Sequence, residues 1–143
     1  MSGSVAPVDD AVLRSIRDRV RTHPVIDTVT AERTGGLLSM IQAACDPDRY
    51  PAHITAARLE IRWYTNDDYN FHYIETHAGG TWQCRWDRHP NPHTERTHFH
   101  PPPDARSTDA IADTPPEQHP AAMLTRTLAN IRDRIETLWK NTE

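Results

Sequence analysis

Apolar positions along this chain change period, and the changes mark its elements. In the stretch "DDAVLRSIRDRVRTHP", Val12, Ile16 and Val20 recur every fourth residue, the spacing of one helix face. Asp9 or Asp10 can cap that helix, and Pro24 marks its limit. Residues 1–8 carry no such pattern and read as a tail. The next run, "VIDTVTAERTGGLLSMIQAACDP", sets two apolar stretches on either side of Gly35-Gly36. A double glycine between such runs is a hairpin signal, so a hairpin is expected over residues 25–45, although "LLSMIQAA" also has helix-forming composition.

Alternation is clearest in the middle. "ARLEIRWYT" (57–65), "YNFHYIETH" (69–77) and "TWQCRWDR" (81–88) are rich in aromatic and branched residues. Short "NDD" and "AGG" links join them, which predicts a three-stranded antiparallel meander. Leu59, Ile61 and Trp63 fall on one face, with Phe71 and Tyr73 and then Trp82, Cys84 and Trp86 on the following strands. The other face carries Arg62, Tyr64, His72, Arg85 and Asp87. From Pro90 to Pro120 the chain is rich in proline, although "HFH" could form a short strand. A second helix is expected over "PAAMLTRTLANIRDRIETLWKN", with Met123 or Leu124, Leu128, Ile131, Ile135 and Leu138 as its apolar stripe. The expectation is a single α+β domain over residues 9–143. It would be an antiparallel sheet of four to five strands with an N-terminal and a C-terminal helix packed on one face.

Composition changes this picture only at the edges. A length of 143 residues suits one domain, and the net charge of −4 argues against wholesale coating of nucleic acid. One lysine against fifteen arginines, with thirteen Asp to seven Glu, suggests a GC-rich genome and a salt-adapted source such as a halophilic archaeon. Cys45 and Cys84 form no CxxC pair or disulfide framework, and Cys84 falls on the inward face, where inert packing is the default. The N-terminus lacks the basic start and apolar run of a secretory signal, and no stretch approaches the roughly 20 apolar residues of a membrane helix. A soluble, cytoplasmic protein is expected.

Two groups of residues could carry chemistry. Arg62, His72, Arg85 and Asp87 lie on consecutive strands of the polar face and can converge. Imidazole titrates near neutrality, guanidinium binds phosphate through paired donors, and a carboxylate can orient a histidine. That set would serve RNA cleavage by attack of the 2′-hydroxyl, with no metal required. Tyr64, and with it Tyr69, could stack a base, with Arg62 beside it for the phosphate. Equally, this could be a solvated sheet face with ordinary salt bridges.

The second group is the segment from His89 to His100, which holds four of the nine histidines. The i, i+2 pair His98 and His100 would sit on one side of an extended strand. With His93 they could complete an acid–base site or a three-nitrogen zinc site, to which Glu95 or Asp87 could add an oxygen. Pro90, Pro92 and residues 101–103 stiffen this segment, which favours a built site over a linker. His89 receives the least weight. The competing reading is a non-catalytic binding or structural protein whose histidines hold a metal or a partner protein.

The combination of Phe71-His72-Tyr73, Arg85-Trp86-Asp87, Pro92-His93 and the His98/His100 pair resembles the TumE-like toxin family over about residues 58–103. In that family an aromatic–His–aromatic strand is followed by a strand ending in Arg-Trp/Tyr-Asp and by a loop rich in proline and histidine. The family tends to show adjacent histidines after proline, whereas Phe99 splits the pair here. The resemblance implies the toxin half of a two-protein pair, with a small DNA-binding antitoxin as partner. Cleavage of RNA is inferred from the polar face and is not implied by the resemblance.

Overall fold

The computed structural model describes residues 6–90 and 96–142. The chain opens with helix α1 (Asp10–Val20), capped by the Asp9 carboxylate, which accepts the Val12 N–H at 3.1 Å. Strands β1 (Ile26–Thr34) and β2 (Leu37–Cys45) follow, then β3 (Ile54–Trp63), β4 (Tyr69–His77) and β5 (Gly80–Arg88). Two short strands, β6 (Thr97–His100) and β7 (Ile111–Ala112), precede helix α2 (Pro120–Lys140). All strands pair antiparallel in consecutive order, so the sheet is one continuous meander.

Residues 25–45 do form the hairpin that the double glycine predicts. Gly35 and Gly36 both adopt positive φ, 59° and 82°, as a two-residue turn matched to strand twist requires. A Cβ at Gly36 would meet nothing within 4 Å, so any penalty there comes from the backbone alone. Gly36→Ala should therefore cost about 1 kcal/mol, read as a lower urea midpoint with an unchanged slope.

Among the described residues the sheet has seven strands, not the four or five expected. The two extra strands, β6 and β7, lie in the proline-rich stretch and are four and two residues long, too short to show a period. Both helices do lie on one face. Leu13, Ile16 and Val20 of α1, with Met123, Leu128, Ile131 and Leu138 of α2, close over Ile41, Leu59, Ile61, Trp63, Phe71 and Trp86. Tyr69 belongs to this core and is not available for base stacking: its ring lies on Trp63, centroids 5.0 Å apart. Cys45 and Cys84 are buried, and burial pushes the Cys84 thiol up to about 12. That is the inert state expected of it.

Beneath α2 the core contains one charged network. Glu75 of β4, wholly buried, accepts Arg134 Nη2 at 2.9 Å and Nε at 3.0 Å, and the Tyr73 hydroxyl at 2.7 Å. The Arg134 guanidinium also lies 3.6 Å above the Trp82 ring. Neither α1 nor α2 packs on the opposite face of the sheet, and its chemistry is different.

Candidate functional site

Sheet register assembles this site. On the face away from the helices, Gln42, Glu60, His72, Arg85 and His100 lie opposite one another across β2 to β6. One step along, Arg62, Asn70, Asp87 and His98 form a second row across β3 to β6. Residues directly opposite hold their Cβ atoms about 5 Å apart, so the two rows bring two arginines, three histidines and two carboxylates onto one patch.

Asp87 is the hub. Its Oδ2 accepts Arg85 Nε at 3.1 Å and lies 2.9 Å from His100 Nε2 and 3.6 Å from His89 Nε2. Its Oδ1 lies 3.4 Å from His98 Nδ1 and receives no hydrogen bond among the described residues. Arg85 Nη2 sits 3.2 Å and 3.3 Å from the two nitrogens of His100, so the guanidinium bridges the carboxylate and the imidazole. Burial of Asp87 works against its ionised form. The His100 hydrogen bond, the charges of His100 and His89 and the Arg85 hydrogen bond together outweigh that cost and hold the carboxyl below its usual range.

His72 stands next to this cluster, opposite Arg85. Gln83 Oε1 is 2.7 Å from its Nε2, and since an amide oxygen only accepts, Nε2 carries the proton and Nδ1 the lone pair. Burial lowers the affinity of His72 for a second proton, offset by the Gln83 hydrogen bond and reinforced by the Arg85 charge.

Exposure sorts these groups. Asp87, His98 and His100 are almost inaccessible. Arg85 and His72 are half-buried, and His89 leaves about half its side chain exposed, at 49%. The inner pair is closed off by the segment after β6: Gln83 N–H donates to Pro103 O at 2.8 Å, extending the sheet edge where β6 has ended. The carbonyl of Arg106 then reaches within 3.4 Å of His100 Nδ1.

The structure thus brings together His72, Arg85, Asp87, His98 and His100. Arg62 shares the face, half-buried opposite Asn70. Tyr64 stands apart, bridging Val8 and lining a small cavity of about 230 Å³ with Tyr69, Asn70, Arg88 and His89. His93 and Glu95 lie outside the described residues. His89, least weighted from sequence, is part of the cluster. Its N–H donates to Arg96 O at 3.0 Å, so β5–β6 pairing continues one step and the period of 83, 85 and 87 carries on to 89. That period was present in the sequence, but Pro90 drew attention to a loop instead. Among the described residues, Asp87, His89 and His100 each offer one ligand atom, all within 4.8 Å of one another, and could hold a metal ion.

Fold and site together define a small α+β protein with a carboxylate–histidine–arginine cluster on the open face of a consecutive antiparallel sheet. The chain belongs to the TumE toxin family: the family described as Toxin TumE matches residues 13–135, most of the chain. It is therefore the toxin of a toxin–antitoxin system, and an antitoxin is its partner. No curated protein and no solved structure matches the chain. Among the described residues, no helix is long and apolar enough to cross a membrane.

Proposed function

We propose that this toxin is a ribonuclease that needs no metal and cleaves RNA by attack of the 2′-hydroxyl on the adjacent phosphate. The observation that carries this reading is the placement of Arg85 between His72, its cross-strand neighbour, and the Asp87 carboxylate that fixes its Nε. His72 Nδ1 takes the 2′-hydroxyl proton, and the oxygen attacks phosphorus. Arg85 neutralises charge gathering on the non-bridging oxygens. The P–O5′ bond breaks, and protonated His89 supplies a proton to the departing oxygen, leaving a 2′,3′-cyclic phosphate.

Accessibility decides the roles. His72, Arg85 and His89 can meet a substrate, whereas Asp87, His98 and His100 are positioning residues that hold them. Arg62 is the further cation for a neighbouring phosphate, and Tyr64, at the rim, is the base contact. A small DNA-binding antitoxin that covers this face would silence the toxin while its own DNA contacts address the pair to an operator.

The test is cleavage of a single-stranded RNA in excess chelator across a range of pH. Activity should persist in chelator and yield cyclic-phosphate ends. His72 has Glu60 facing it from β3 and Arg85 from β5, with Arg58 nearby, and burial remains the largest influence. Its neutral form, the base, therefore survives below the ordinary histidine value, and the acid limb of the rate profile should fall below about pH 6.5. His72→Ala should remove that limb together with most of the rate. Intact RNA at every pH, or full activity in His72→Ala, would sink the reading.

A further inference from the structure

We infer that Asp87, His89 and His100 form a binding site for a transition-metal dication of the zinc class. Two imidazoles and one carboxylate are a nitrogen-rich donor set, suited to zinc and its neighbours and poorly suited to magnesium or calcium. The distances fit. Bonds of 2.0–2.1 Å in a tetrahedral shell place ligand atoms about 3.4 Å apart. Here His100 Nε2 and His89 Nε2 stand 2.9 Å and 3.6 Å from Asp87 Oδ2, on either side of that value. Small side-chain adjustments therefore close the shell, with one position left open.

A second observation points the same way. Asp87 is 2% exposed, yet its Oδ1 receives no hydrogen bond among the described residues. That oxygen faces His98 Nδ1 at 3.4 Å without a hydrogen bond, and a bound cation would satisfy a buried carboxylate oxygen more fully. Turning the carboxyl group lets one oxygen take the metal while the other keeps Arg85 Nε, the outer-shell bond that orients a ligating carboxylate. The exposed side of His89 gives the ion its entry path.

This inference does not rest on the ribonuclease reading, although the two meet at one atom: a metal on His89 Nε2 takes the nitrogen proposed to donate the leaving-group proton. The experiment is titration of the full-length protein with Zn²⁺ by calorimetry, with Co²⁺ as a spectroscopic stand-in. One equivalent should bind, and Co²⁺ should give the visible bands of a tetrahedral site. His89→Ala and Asp87→Asn should each weaken binding about 100-fold or more. His53→Ala, at an exposed histidine elsewhere, should leave it unchanged. Because His89 is half exposed, its variant reports on the site even if Asp87→Asn fails to fold. Unaltered zinc affinity in His89→Ala, or equal loss in His53→Ala, overturns the site. A protein without RNA cleavage that still binds zinc in this pattern would sink only the ribonuclease reading.

Discussion

Arg85→Ala should release cells from growth arrest and lower RNA cleavage by about 10²- to 10³-fold, the usual effect of removing a fixed donor to developing charge. Among the described residues, it is the arginine that contacts both Asp87 and His100. Its Nε holds Asp87 and its Nη2 holds His100, so the guanidinium is oriented at two points before a phosphate arrives. Arg85→Lys should recover little, because an ammonium on a flexible stem supplies charge without the planar fork. The control is thermal melting. Loss of the bond to Asp87 and the contact with His100 should cost about 1–3 kcal/mol, and Asp87 keeps His100 at 2.9 Å, so the variant should stay folded and a collapse in rate with a preserved melt isolates the chemical role.

The largest effect on stability should come from the other face. Arg134→Ala should cost about 3–5 kcal/mol, because it leaves Glu75 charged and wholly buried without its cation. The Tyr73 hydroxyl would remain as a donor, and the Tyr50 hydroxyl lies 2.6 Å beyond it, but neither carries charge. The cation above Trp82 would also be lost. Domains of this size are stable by only about 5–15 kcal/mol, so the variant should unfold at markedly lower urea. The double variant Glu75→Leu with Arg134→Met should recover most of the loss, since it removes the charge that the single change strands. If Arg134→Ala alone melts like the parent, the buried pair is not what fixes α2 to the sheet.

The helices, the meander and the hairpin were legible because each repeats its period long enough to be read. The α2 stripe from Met123 to Leu138 spans more than four turns, and every residue assigned to it is buried. β6 was legible only as a short strand at "HFH" and β7 not at all: four and two residues among prolines have no period, and pairing with β5 defines β6 while pairing with β6 defines β7. Of the site, the members of one strand face were accessible from alternation alone, namely His72, Arg85 and Asp87. Contacts across strands were not. That His100 meets Asp87 and Arg85 depends on the β5–β6 register, and that register depends on where the intervening loop ends. His89 shows the limit, since its alternation was visible but only the His89–Arg96 backbone bond shows that the strand pairing outlasts Arg88.

The consecutive strand order bears on when this protein can become harmful. Every strand pairs with the one made just before it, so the sheet can grow hairpin by hairpin in the direction of synthesis. The cluster, however, joins β4 and β5 to His98 and His100, and the inner face of the sheet is covered only by α1 until α2 has formed. A nascent chain stopped between β5 and β6 holds most of the sheet but lacks His98 and His100, the residues that pack around Asp87. The order of synthesis therefore puts completion of the cluster after β6 has paired with β5, late in the chain.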